Sequence, residues 1–370
     1  MKKRLVLLLS LVVLSVSLAA CSGTEKNGEA GGASTGGKAL KEISLGLMPY
    51  YDYAPWALAA EKGFFEEEGL KMKSTMFPVE GNVAPALVNG SIDVGGFSDT
   101  PSITLAAQFA DLRMVSFLNI FKGYAIIADK DKGFKTYEEL LKETNDSKQA
   151  AVEAGKQLKG KSIVTTSGAA FYMVLEQALV NAGLTMDDVK VIDMEPDVGV
   201  SAFISGTGDF YLGGLPQREK LQGEGFPAMI SGEEIGPGAV SLAGLATTKK
   251  YLDANPDVIS SMQKVWFKTM DYIQNNPDDA YAYLADWANK RNGGKSTGED
   301  VKKFIDSYVI FAKTPEEARS YFYDENSATS WKKRYEYLVK YHEETNVIKK
   351  DSVKLDELVP AQSVFETFAK

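Results

Sequence analysis

Apolar residues in the first two thirds of the chain fall into short compact runs separated by glycine-rich and polar turns. Residues 43–48, 70–77, 92–97 and 114–118 each read as a buried strand, because a run of that length bounded by turn residues fits a sheet covered on both faces. Between the first two lies a short helix with Pro55 in its opening turn and Trp56, Ala59, Ala60 and Gly63 on one face. A helix over 82–89 stops at Gly90, and Thr100-Pro101 reads as a helix start, a hydroxyl cap followed by proline. After 124–128 the rhythm breaks into a polar, helix-prone stretch, 136–158, that reads as a surface insertion. It then resumes with strands over 161–166, 189–194 and 209–214 and helices over 169–181 and 198–205. Beyond Thr248 the pattern is helical, over 257–275, 278–289, 300–311, 314–323 and 330–345, with Pro256, Pro277 and Pro315 at or just before helix starts. Strands alternating with helices predict an α/β fold with largely parallel sheets.

The pattern repeats. Leu87-Val88-Asn89-Gly90-Ser91-Ile92-Asp93-Val94-Gly95-Gly96 and Phe203-Ile204-Ser205-Gly206-Thr207-Gly208-Asp209-Phe210-Tyr211-Leu212-Gly213-Gly214 share a helix end, a glycine, an aspartate, a strand and paired glycines, and Gly69-Leu70 matches Gly183-Leu184. About 330 residues are too many for one small core. The expectation is two lobes, 39–122 with 246–370 and 123–245, joined by chain crossings near 119–126 and 238–247 that act as a hinge.

The N-terminus follows another grammar. Lys2, Lys3 and Arg4 precede an apolar run that ends in Leu18-Ala19-Ala20-Cys21, the form of an export signal over 1–20 and too short for a membrane span. Residues 22–38 are rich in Gly, Ser, Thr and Ala and read as a flexible tether.

Formal net charge is −9, and removal of Lys2, Lys3 and Arg4 takes it to −12, which argues against nucleic acid and against a basic membrane-binding face. Cys21 is the only cysteine and His342 the only histidine, so no disulfide, no His/Cys metal cluster and no cofactor are expected. A Ser-His-Asp triad would need His342, which sits in the helical pattern Trp331, Tyr335, Leu338, Val339, His342 and reads as helix lining.

Ligand contacts are expected just past strand ends, where open α/β sheets bind small molecules. Tyr50, Tyr51, Asp52, Tyr53 and Trp56 follow the first strand; the tyrosines and Trp56 could stack on a flat ring or surround a cation, or Trp56 could anchor the core. Ser98, Asp99 and Thr100 follow the third, with Thr100 equally readable as a plain cap. Ser167, Gly168 and Ala169 lie at a strand-to-helix junction, where free N–H groups favour an anion. Glu195 and Asp197, and Gly214 with Gln217, occupy further junctions of the second lobe. Acids at so many junctions imply that, if several face the cleft, the ligand carries an amine or cationic ring beside any anionic group.

Three stretches carry a family resemblance: Ala60-Glu61-Lys62-Gly63-Phe64-Phe65-Glu66-Glu67-Glu68-Gly69-Leu70, Ala86-Leu87-Val88-Asn89-Gly90-Ser91-Ile92-Asp93-Val94-Gly95, and Leu158-Lys159-Gly160-Lys161-Ser162-Ile163. With them the chain resembles the substrate-binding proteins of nitrate, sulfonate and taurine (NitT/TauT) ABC importers, a group that includes thiamin-precursor binders. The resemblance implies a bilobal periplasmic-binding-protein fold (type II), a non-enzymatic role, and delivery of a small-molecule solute to an ABC permease and its ATPase subunit. The expected solute is a small organic anion or zwitterion of the sulfonate or taurine type; a pyrimidine-like thiamin precursor, or a sensor or surface lipoprotein, are the alternatives. Leu-Ala-Ala-Cys also resembles the bacterial lipobox, which implies a lipid on Cys21 and a monomer on the extracytoplasmic face of the membrane.

Overall fold

The computed structural model describes residues 39–167 and 169–369. The expected signal, Cys21, the tether and Gly168 lie outside them. Two mixed sheets organise the described chain. The first runs in the order β11-β4-β10-β3-β1-β2, with β1 Lys41–Leu47, β2 Leu70–Met76, β3 Val94–Ser98, β4 Leu112–Phe121, β10 Ser241–Thr248 and β11 Val309–Phe311. The second runs β7-β6-β8-β5-β9, with β5 Ala125–Ala128, β6 Ser162–Thr165, β7 Lys190–Asp193, β8 Phe210–Leu212 and β9 Ala228–Ser231. In each, three strands are parallel, the product of strand-helix-strand units. The remaining pairs are antiparallel and bring the chain across from the other sheet. The fold is the expected pair of α/β lobes.

The sequence repeat has a physical basis. Asp93, just before β3, accepts the Ser44 backbone N–H at 2.7 Å and the Ser44 hydroxyl at 2.6 Å. Asp209, just before β8, accepts the Ser162 N–H at 2.9 Å and its hydroxyl at 2.7 Å. Each aspartate ties the start of one parallel strand to its neighbour. Gly90 and Gly206, three positions before each aspartate, take φ of +77° and +93°, a backbone that L side chains rarely adopt.

Four expectations change. Residues 241–245, expected in the hinge and second lobe, are part of β10, which pairs with β4 from Ser241↔Phe121 to Thr248↔Leu112 at the centre of the first sheet. The 300–311 helix stops at Tyr308, and the β-branched Val309 and Ile310 with Phe311 continue as edge strand β11. The 314–323 helix is a short turn, Pro315–Ala318, followed by a π-helical turn. The polar 136–158 stretch forms two helices, Tyr137–Thr144 with a Thr136/Glu139 capping box and Ser147–Lys156 capped by Asp146. It is packed in: Gly155 lies so close to the helix Phe171–Asn181 that an added Cβ would stand 2.8 Å from Ala182 Cβ. The reading passed over the helices Leu215–Gly223 and Ala361–Phe368 and strand β9.

Candidate ligand-binding site

A small, partly open cavity of about 30 Å³ sits where the two sheets face each other. Its walls come from the ends of strands. The first lobe supplies Tyr50, Asp52 and Tyr53 after β1, Glu80 after β2 and Ser98 at the end of β3. The second supplies Ala169, Ala170 and Phe171 after β6 and Gly214 and Leu215 after β8, while Phe121, Tyr124, Ser241 and Ala243 close the side where the chain crosses. This is the place at which strand-to-helix junctions of an α/β protein gather. Phe171 meets Tyr50 and Tyr124 edge-on, with centroids 6.1 and 6.0 Å apart, so one aromatic wall spans both lobes.

Two carboxylates face this space. Burial pushes Asp52 up to about 7, with the nearby Glu80 charge adding to the rise. Burial likewise lifts Glu80 to about 7, although its own backbone N–H and the Ser98 hydroxyl, which donates at 3.0 Å, favour the charged form. No Lys or Arg is among the lining residues. The Tyr50 hydroxyl donates to Pro78 O at 2.9 Å, and Tyr124 and Ser241 share a hydrogen bond of 2.9 Å. The Tyr53 hydroxyl lies near Glu80 without closing a hydrogen bond to it and is buried without a partner.

Of the candidates named from sequence, Tyr50, Asp52, Tyr53, Ser98, Ala169 and Gly214 line the cavity. The other described candidates do not. Trp56 is a core residue, 1 % exposed, tilted against Trp266 and Phe65 with centroids 5.2 and 6.1 Å away. Asp99 is fully buried and spent on structure: it accepts the Thr100 N–H at 2.7 Å and the Leu242 N–H at 3.0 Å, and pairs with Arg334. Thr100 points its hydroxyl at Asp99 and at Met173 Sδ of the other lobe. Tyr51 donates to Glu219 across the lobes. Ser167 is bound to Asp193, and Glu195 is exposed at the start of the helix Pro196–Ile204. Asp197 accepts from Gln217 Nε2 at 3.0 Å, so both point at each other; Gln217 Oε1 is left without a partner, close to Gly214.

Glu80 is not among the residues expected from sequence, nor are Tyr124 and Phe121. The signal for Glu80 was available: it follows Pro78-Val79 at the same kind of junction as Ser98. His342 is buried with both ring nitrogens unpartnered, and burial lowers it to about 4, so it is a neutral core residue at neutral pH. Among the described residues no group of acids, histidines and cysteines is arranged to hold a metal ion, and no helix is long and apolar enough to cross a membrane.

Residues 36–289 match the model of the NMT1-like family. A Bacillus subtilis (strain 168) protein named as an aliphatic sulfonates-binding protein is 26 % identical over 292 residues, covering 77 % of this chain and 78 % of its own. A binding protein of Brucella abortus (strain 2308) is 25 % identical over 304 residues, 75 % of this chain and 88 % of the relative. Among solved structures, the alkanesulfonate-binding protein SsuA from Xanthomonas axonopodis pv. citri, bound to MOPS, superposes with a TM-score of 0.66 at 19 % identity, covering 87 % of this chain and 99 % of that one. The periplasmic nitrate-binding protein NrtA from Synechocystis PCC 6803 gives 0.66 at 15 % identity, covering 89 % and 88 %. These two share the fold. The chain belongs to the NMT1-like family.

Proposed function

We propose that the protein is the solute-capture component of an ABC importer, tethered outside the membrane through a lipid on Cys21, which closes its two lobes around one small organic molecule and presents the closed form to a permease. The observation that carries this reading is the cavity itself, lined jointly by strand ends of both lobes. Contacts available only when both walls are present bind the closed form selectively, and that differential affinity drives closure. At about 30 Å³ the cavity is far below the roughly 300 Å³ of small-molecule sites, so the lobes must part to admit a solute.

The lining also sorts the expected solutes. A simple sulfonate would be buried beside Asp52 and Glu80 with no lining cation. At contact distance and an effective dielectric of about 20, each ionised carboxylate opposes it by on the order of 4 kcal/mol. Helix N-termini at Phe171 and Leu215 offer partial positive charge and offset only part of that. A ring-bearing solute of the pyrimidine type, or a zwitterion of the taurine type, suits the tyrosines and the acids better. Native mass spectrometry of the purified protein, followed by a thermal-shift screen over sulfonates, amines and pyrimidines, tests the reading. Release or binding of a single small solute at unit stoichiometry supports it; turnover of that solute would overturn it.

A further inference from the structure

The first-lobe wall of the cavity has a composition that the general import role does not explain. Asp52 and Glu80 are both buried, 8 % and 5 % exposed, and both border the same cavity. The groups that bear on them are Ser98, the Tyr53 hydroxyl and the buried Asp99, and Asp99 is already engaged by Arg334. None of these is a cation free to neutralise the pair. Tyr53, 2 % exposed, holds an unpartnered hydroxyl in the same wall. The rings of Tyr50, Tyr124 and Phe171 line the same cavity. Aromatic faces attract a cation, and a buried carboxyl without a counter-ion either stays protonated or is met by one. Together they compose the surroundings of a desolvated organic ammonium group.

Resting on the capture reading above, we propose that Asp52 and Glu80, with the Tyr53 hydroxyl and the ring wall of Tyr50, Tyr124 and Phe171, form the recognition point for an ammonium-type nitrogen, so that the solute is a small organic cation or carries its cationic end into this wall. The nitrogen replaces the missing counter-ion, and Tyr53 accepts from an N–H or packs against an N-methyl group. Burial holds both carboxyls near 7 in the empty cavity, so arrival of a cation at neutral pH drives protons off the pair. Binding of the cation therefore releases protons into the buffer and strengthens as pH rises from 6 to 8. The ionisable neighbours Tyr50, Tyr53 and Tyr124 are all raised well above their ordinary range by burial and stay neutral throughout that window.

The test uses the full mature chain and titration calorimetry with benzylamine, choline and taurine as ammonium probes, against benzyl alcohol, benzenesulfonate and ethanesulfonate as matched compounds lacking the cation. At least one ammonium probe should bind. Its affinity should fall tenfold or more in Asp52→Asn and in Glu80→Gln, and proton release should appear as a dependence of the heat on buffer ionisation enthalpy. Both substitutions preserve shape, and circular dichroism with a cooperative melt checks that the variants fold. Binding of a sulfonate without an amine in preference to every ammonium probe would overturn the proposal and leave the capture reading intact. So would release of a neutral or anionic solute in native mass spectra when no ammonium probe binds. If the protein releases nothing and binds no probe, both readings fall.

Discussion

Arg334 Nε donates to the Asp99 carboxylate at 2.7 Å, joining the residue at the end of β3 to a helix 235 positions later in the chain. Both side chains are buried, and the same carboxylate oxygen accepts the Leu242 N–H of β10. One aspartate thus ties the central strands of the first sheet to the C-terminal helix Trp331–Glu344. Removing one member of a buried pair leaves the other charge without compensation, which costs about 3–5 kcal/mol. Arg334→Ala should lower the stability from urea unfolding by that amount, and Asp99→Ala should do the same without acting additively with it.

Trp56 distinguishes core from site. It packs on Trp266 and Phe65 and does not border the cavity. Trp56→Ala is expected to cost about 3–5 kcal/mol in unfolding free energy. The fraction that remains folded should bind solute with unchanged affinity; a large loss of affinity in folded protein would return Trp56 to the site.

At Gly214 the two lobes come close beside the cavity. A Cβ there would stand 2.9 Å from the Tyr50 ring and 2.8 Å from Gln217 Oε1, while the backbone φ of −77° accepts any residue. Gly214→Ala should therefore fold normally and resist closure. At the 1–3 kcal/mol typical of overpacking, affinity should drop roughly 5- to 150-fold. Small-angle scattering with saturating solute should show a larger radius of gyration than the wild type.

The Tyr51 hydroxyl donates to Glu219 of the other lobe, a latch made in this closed arrangement. Tyr51→Phe removes a hydrogen bond to a charged acceptor, worth about 1.5–3 kcal/mol. Solute dissociation should accelerate by tenfold or more in stopped flow, with little change in the unfolding midpoint of the solute-free protein.

The pair Asp52 and Glu80 sets a pH dependence whose sign is fixed. Both carboxyls lie near 7 when folded, against about 3.9 and 4.3 in an unfolded chain. Between those limits the folded state holds more protons than the unfolded one, so stability falls as pH rises. Their contribution is complete below pH 4 and lost as pH passes 7. The solute-free melting temperature should decline from pH 5 to 8 less steeply in the Asp52→Asn/Glu80→Gln double variant than in the wild type.

What the chain determined by itself is local. Strand runs, helix stops and the Asp-clamped repeat were legible because a glycine, a proline or a two-residue apolar period acts on its own neighbours. From these the α/β class and the two lobes followed, as did the gathering of strand ends around the candidate cavity. The junction rule identified Asp52, Ser98, Ala169 and Gly214 but could not separate them from Asp99 or Ser167, which occupy the same kind of position and are consumed by Arg334 and Asp193. Those partners lie 235 and 26 residues away, and nothing in the sequence around either acid announces the pairing. Trp56 and Tyr53 sit three residues apart on one helical entry, yet one faces Trp266 and the other faces the cavity, because packing against a distant helix decides which side of the turn is interior. Glu80, Tyr124 and Phe121 likewise came to line the cavity only when the two sheets were brought face to face. Side-chain chemistry is written residue by residue, but whether a carboxylate is a clamp or a site depends on which distant cation reaches it first, and only the tertiary structure decides that.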